Sequence, residues 1–274
     1  MIEYNVEYWL TDSDIENIEY SEYWNNEEQE KSKEWYILDG NFSKMEHYLL
    51  KVRLPQDLER CVDILKLEFK HGLKGTGIDL GAGNLWATRY LLALGEFDKL
   101  YSLEYSKHRL LKLGPRVLEH YNVPKEKIVL VLGSFYDLHI DDNSLDFAFL
   151  SEAFHHADRP DCLLAEIRRV LKPSGVVIII GEHKLHIQRA YCIHVIKLLI
   201  SMFLPSKVQQ KIFGRTFHIN RLIPKSSDLF PTNPILGDHK YTGKEYRKMF
   251  SKCGFKIKHI KHRSSQFQSY ILFV

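Results

Sequence analysis

The chain has 274 residues, is 45% hydrophobic and 27% charged, and carries a formal net charge of +3. Those are the proportions of an ordinary soluble globular protein, and the length allows one large domain with a full core and an elaborated cap. The four cysteines (Cys61, Cys162, Cys192, Cys253) are far apart with no Cys-x-x-Cys pair, and no basic-then-apolar signal opens the chain. Both features argue against a disulfide framework, a zinc site and secretion, and for a reducing cytoplasm.

Charge is unevenly placed. Residues 1–60 hold 6 Lys/Arg against 15 Asp/Glu, whereas 183–274 hold 17 against 3. Either the basic part meets an anionic partner, or the acidic segment folds against it and neutralises it.

Residues 1–60 read as a cap segment, with paired aromatics at Tyr8-Trp9, Tyr23-Trp24 and Trp35-Tyr36. These either anchor short helices on the main body or line a substrate pocket, and docking is the expectation. The main domain is expected over 61–274. Cys61 to Phe69 has helical apolar spacing, and Gly77 to Leu80 a strand. Residues 84–94 form a helix closed by Gly95, and Lys99 to Glu104 the next strand. Lys107 to Tyr121 is helical, broken or kinked at Gly114-Pro115. Ile128 to Leu132 is continuously apolar, as in a strand buried on both faces. Leu145 to Leu150, a helix opening at Asp158-Arg159-Pro160, and Val176 to Ile180 continue the alternation.

An insert, 184–239, then departs from that rhythm. Ala190 to Leu204 is strongly apolar, with His194, Lys197 and Ser201 spaced onto one helical face. Fifteen residues are too few to span a bilayer, so the segment is buried or lies on a membrane surface, and burial is the expectation. Pro205 stops it, and Pro224, Pro231 and Pro234 punctuate loop-like sequence. Thr242 caps a helix to Cys253, and strands at Phe255–Ile257 and Ser269–Val274 close the chain. The expected fold is α/β: a doubly wound, mostly parallel, seven-stranded Rossmann-like sheet with an antiparallel C-terminal hairpin and a helical cap.

The chemistry centres on Asp79-Leu80-Gly81-Ala82-Gly83, where a strand turns into a helix and glycines let backbone approach a ligand. Glu104 ends the next strand 21 residues beyond Gly83, in register to meet the ribose of a nucleotide-like ligand. A dinucleotide and S-adenosylmethionine both carry that ribose. Trp86 at the sixth motif position fits poorly beside a pyrophosphate, and Asp79 suits a cationic sulfonium better than a diphosphate. The single Tyr/Lys pair four apart, Tyr121 and Lys125, has Pro124 between its members, which argues against a short-chain dehydrogenase.

Together Ile78–Gly83, Leu103-Glu104-Tyr105-Ser106, Gly133-Ser134-Phe135 with Asp142–Asp146, and Leu171–Gly175 resemble a class I S-adenosylmethionine-dependent methyltransferase, of the small-molecule group that includes quinone and sterol methylases. The resemblance covers 72–182, and 240–274 in outline. It implies that Asp79, Gly81, Ala82 and Gly83 meet the cofactor's amino-acid end and Glu104 its ribose hydroxyls. By the same resemblance Tyr105 lies along the adenine, Ser134 stands at the position that bonds the adenine amine, Phe135 flanks the ring, and Ser151 sits near the reacting end. Two departures stand out: Leu85 where the family usually has a third glycine, and Ser134 where it usually has Asp.

Methyl transfer requires alignment of nucleophile and methyl, and a base where the nucleophile must lose a proton. Glu152, His155 and His156 after the fourth strand are candidate bases, with the two histidines as the candidate catalytic residues and His183, after the fifth strand, as a further candidate; paired histidines here also fit packing or capping roles. No metal is expected. The leading expectation is a small-molecule acceptor that is hydrophobic, lipid-linked or anionic, with possible peripheral membrane contact through 190–204. The alternatives are RNA methylation through the basic tail, and a catalytically degenerate cofactor-binding subunit, motivated by Leu85 and Ser134.

Overall fold

The computed structural model describes residues 4–11, 14, 24–31, 33, 35–185, 187–213, 216, 237–262 and 266–274. The paired aromatic Tyr23 and the prolines Pro224, Pro231 and Pro234 lie outside the described residues.

One sheet organises the chain. Its strands are β1 (Asn5–Tyr8), β2 (Lys74–Leu80), β3 (Glu96–Glu104), β4 (Ile128–Leu132), β5 (Leu145–Ser151), β6 (Leu171–His183), β7 (Lys256–Lys261) and β8 (Phe267–Phe273). They lie in the order β1-β4-β3-β2-β5-β6-β8-β7. The first six are parallel, and β8 runs antiparallel to both β6 and β7. The sheet therefore has eight strands rather than seven. The extra one is β1, which adds to the outer edge of β4 with Val6 opposite Leu130. Four residues with Glu7 among them give too short an alternation to mark a strand, and β4 supplies the pairing that the local sequence lacks.

The helices fall where periodicity and caps put them. Two helices, α2 (Phe42–Val52) and α3 (Leu54–Phe69), follow a short α1 (Glu27–Glu30); Arg53, at φ 67°, makes the corner between them. So the helix expected from Cys61 begins seven residues earlier, with Pro55 in its first turn. After the glycine loop comes α4 (Trp86–Leu94). The expected break at Gly114 takes the form of a π turn, Arg109–Leu113, running into α5 (Gly114–His120). Pro160 opens α6 (Pro160–Val170). In α9 (Gly243–Lys252) Thr242 and Glu245 form a reciprocal capping box.

Two apolar layers sandwich the sheet. Leu58, Val62 and Leu65 of α3 pack with Phe147, Phe149 and Ile178 on one face. Leu163, Ile167, Tyr246 and Phe250 pack with Ala148, Leu150 and Val177 on the other. All five residues of β4 are buried, as its unbroken apolar run requires. This double cover leaves the carboxyl ends of β2, β3, β5 and β6 as the open edge.

The insert corrects one expectation. Among the described residues it forms α7 (Ile187–Ser201) and α8 (Ser206–Phe213), and α7 is not buried by its apolar residues. His194 and Ser201 turn inward with Leu198, while Ile196, Leu199 and Ile200 stand exposed. Hydrophobic content set the expectation of burial, whereas the polar stripe decides which side packs. Among the described residues no helix is long and apolar enough to cross a membrane.

Candidate active site

The glycine loop is tied to β3 by its own backbone. Gly81 and Ala82 both donate N–H bonds to the Leu103 carbonyl at 2.9 Å. Gly81 has φ 76°, and a Cβ there would lie 2.8 Å from the Ala153 Cβ, so glycine is required for both reasons. Gly83 N–H donates to Glu104 Oε2 at 2.9 Å, while Glu104 Oε1 accepts from Tyr105 and Ser106 N–H at 2.9 Å each. A carboxylate has about four acceptor positions, so three bonds fix its orientation and leave capacity on Oε2.

Leu85 adopts the left-handed backbone (φ 66°) that glycine would take without strain, at a cost of about 1–2 kcal/mol. Its side chain is fully buried among Leu110, Leu118 and Leu130, away from the ligand edge. The substitution is thus absorbed in the core. Asp79 sits one layer behind the loop, 1% exposed, where its Oδ2 accepts from Thr88 Oγ1 at 3.2 Å. Burial pushes its carboxyl up to about 7, against the Thr88 bond and with Glu104 adding to the rise.

Two adjoining lobes open above the loop. The larger, about 570 Å³, is walled by Glu104, Tyr105, Ser134 and Phe135 among others. The smaller, about 220 Å³, is walled by Ala82, Gly83, Ser151, His155 and His183. Gly81, Glu152 and His156 belong to both walls and mark the junction. Of the residues singled out in the sequence for cofactor or catalysis, Asp79 stays behind this cleft. Ser134 Oγ accepts from Tyr136 N–H at 3.2 Å, and Ser151 Oγ is a buried hydroxyl with no hydrogen-bond partner.

A hydrogen-bonded chain leads back from His155 in the wall of the smaller lobe. His155 Nδ1 lies 3.2 Å from Glu182 Oε2, which also accepts from the Tyr246 hydroxyl. Glu182 is fully buried. Burial alone would push the His155 imidazole down, but the Glu182 charge and hydrogen bond, with Asp238 and Glu152, outweigh it and hold His155 above the ordinary histidine value. The bond at Nδ1 leaves Nε2 as the nitrogen open to the lobe. Glu152, at φ 50°, is a strained position beside the cleft, and burial pushes its carboxyl up to about 7 despite His155 and the Tyr48 hydroxyl. Burial and the neighbouring His155 lower His183. His156 Nδ1 lies 3.2 Å from Asp238 Oδ1. Potential ligand atoms of His155, His156 and Asp238 all fall within 4.8 Å of one another, so this is the group among the described residues with the spacing to hold a metal ion.

Sequence reading missed Glu182 and Tyr246. An acid two residues beyond the apolar run Val176–Ile180 was the available signal for Glu182; nothing local pointed to Tyr246, 64 residues away.

The N-terminal segment closes the cleft from one side. Glu30, fully buried, receives Arg109 at 2.7 Å and 3.1 Å and the Trp35 indole N–H at 2.8 Å. Arg109 lies over the Trp24 ring at 4.3 Å, and Trp24 meets His156 edge-on at 5.3 Å. Trp24 and Trp35 therefore both dock the segment and line the pocket. From the other side His239 N–H donates to the His155 carbonyl at 2.8 Å.

Comparison with known proteins agrees with this geometry. Residues 78–179 match the family described as Methyltransferase domain. A chloroplastic Arabidopsis thaliana protein, named an uncharacterized methyltransferase, is 31% identical over 121 residues, 44% of this chain and 34% of its own length. The demethylmenaquinone methyltransferase of Bacillus mycoides is 23% identical over 198 residues, 71% of this chain and 75% of its own. The chain thus spans about a third of the plant relative and three quarters of the bacterial one. Among solved structures, a chain of the complex between the Haloferax volcanii Trm112 methyltransferase activator and a methyltransferase aligns with TM-score 0.52 at 18% identity, covering 86% of this chain and 94% of that one. An S-adenosyl-L-methionine-dependent methyltransferase structure from Methanococcus maripaludis also aligns at 0.52, with 16% identity and coverage of 88% and 94%. Residues 78–179, which carry the ordered motifs and the cleft-bearing strands, thus match a methyltransferase domain, on the fold that the solved S-adenosylmethionine-dependent methyltransferases share.

Proposed function

We propose that the chain methylates a small hydrophobic acceptor whose nucleophilic atom must first lose a proton, with His155 as the base. The observation that carries this reading is the Tyr246–Glu182–His155 chain opening onto the smaller lobe beside the glycine loop. The residues present suit the cofactor: an open space above Gly83, spare acceptor capacity on Glu104 Oε2, and an unpartnered Ser151 hydroxyl. Gly81, Ala82 and Gly83 would hold its amino-acid end, Glu104 its ribose, and Tyr105, Ser134 and Phe135 its adenine. Asp79 would act by supporting the loop from beneath. When bound, the cofactor supplies an electrophilic methyl.

His155 Nε2 would take the acceptor's proton. Glu182 would fix the tautomer and stabilise the imidazolium, as a buried carboxylate does behind a catalytic histidine. Trp24, Trp35, Met45 and Tyr48 would face the acceptor. Arg109, the cation in both lobes, is already paired with Glu30, which favours an apolar acceptor over an anionic one. The Bacillus relatives are named for demethylmenaquinone, and those names favour a hydrophobic, lipid-linked acceptor of that kind. An intact base chain favours catalysis over a degenerate subunit, and a lobe of about 220 Å³ ringed by aromatics favours a small molecule over an RNA strand. Free thiols at all four cysteines suit a cytoplasmic setting.

The test pairs calorimetric titration of S-adenosylmethionine with turnover on a quinol acceptor. His155→Gln is expected to bind the cofactor within about twofold of wild type while turnover falls by about 100-fold or more. Wild-type turnover in His155→Gln would remove the base assignment. Absence of cofactor binding by the wild type at millimolar concentration would remove the whole reading.

A further inference from the structure

Helix α7 is folded inside out. Ser201 Oγ donates to the Leu198 carbonyl at 2.6 Å, and Gln209 of α8 donates to the carbonyls of Ser201 and Leu204 at 2.8 Å each. These polar contacts hold α7 and α8 together and turn their apolar residues out. Nine of the thirteen large hydrophobic side chains exposed among the described residues fall within 191–212, so the exposure is concentrated here rather than scattered. The turn between the helices carries Met202, 57% exposed, and Phe203, 85% exposed.

Charge identifies what covers this face. Between residues 184 and 225 there are eight Lys/Arg and no Asp/Glu. Lys207 and Lys211 are exposed on α8 beside Val208 and Ile212. A second copy of the chain would bring like charges together, which opposes association. An anionic bilayer offers apolar depth and negative headgroups at once. Neither helix is long enough to cross it.

We propose that α7 and α8 dock the protein on the surface of an anionic membrane, with Ile196, Met202 and Phe203 entering the headgroup–acyl boundary and Lys207 and Lys211 meeting the headgroups. His183, in the wall of the smaller lobe, lies four residues before α7 begins, so docking brings the bilayer close in sequence to the proposed acceptor lobe. The inference stands apart from the methyl-transfer reading, because its test reads binding alone.

The experiment is co-sedimentation of the full chain with vesicles of phosphatidylcholine and of phosphatidylcholine–phosphatidylglycerol, at low and high salt. Wild type is expected on the phosphatidylglycerol vesicles, with weaker binding in high salt. Ile196→Ser/Met202→Ser/Phe203→Ser is expected to lose about tenfold or more in partitioning. Lys207→Gln/Lys211→Gln is expected to lose most of the salt dependence. Phe203→Ser alone, at a position almost wholly in solvent, gives the same test should the triple variant fail to fold. No binding to anionic vesicles, wild-type binding by the apolar variants, or a concentration-dependent dimer abolished by them would each overturn the proposal.

Discussion

The N-terminal segment and the α7–α8 pair both lie outside the matched region 78–179, yet they use charge in opposite ways. The cap turns its acids towards the domain: Glu30 meets Arg109, Glu27 meets Lys112, and Glu46 meets Arg89. The insert keeps a polar stripe inside and turns apolar and basic side chains out. Among the described residues these acids of the segment pair with the centre of the chain, while Asp57 reaches His262 in the C-terminal part. Charge asymmetry in a sequence therefore says little until the partner of each charge is known. A buried pair fixes a segment, whereas exposed charge selects what comes to it.

The largest expected effect breaks the cap. Arg109→Ala leaves Glu30 buried without its partner and should cost about 3–5 kcal/mol in urea denaturation, with loss of cofactor affinity. Glu30→Met/Arg109→Met should recover much of that stability; a cost below about 1 kcal/mol for Arg109→Ala would mean the cap is anchored elsewhere. In the insert, Leu198→Ala should cost about 2 kcal/mol, whereas Phe203→Ser, a larger truncation, should stay within about 0.5 kcal/mol. Equal costs would show that α7 packs the other way round.

The third test concerns the cleft that the N-terminal segment lines. A base must be deprotonated, so kcat/KM should rise with pH through the His155 titration, on a limb lying above the ordinary histidine value. Glu182→Gln removes the charge that raises His155 and leaves the burial that lowers it, so the limb should move to lower pH. A limb that stays in place assigns the titration to another group, with Glu152 at about 7 the nearest. Smallest of all, Lys112→Ala should leave the melting temperature unchanged, because its pair with Glu27 lies in solvent.

Features fixed by near neighbours were legible in the sequence. The glycine loop, the apolar run of β4 and the Thr242–Glu245 box each depend on residues within a few positions. Glu104 could be placed because strand and helix lengths set its register with Gly83. What depended on distant packing was not legible. β1 needs the open edge of β4, and the partner of Glu182 needs α9 folded over β6. The polar stripe on α7 was visible, but its direction depends on Gln209 in the next helix.

Leu85 has a consequence for engineering. A Cβ on Gly114 would stand 2.6 Å from Leu85 Cδ1, so the missing side chain at 114 is the socket that receives Leu85. The two positions form a compensating pair. Restoring glycine at 85 alone would relax the backbone and hollow the core beneath it; filling position 114 alone would expel the leucine. Either exchange should damage the loop, while both together should spare it, so Leu85 can be changed only in concert with Gly114.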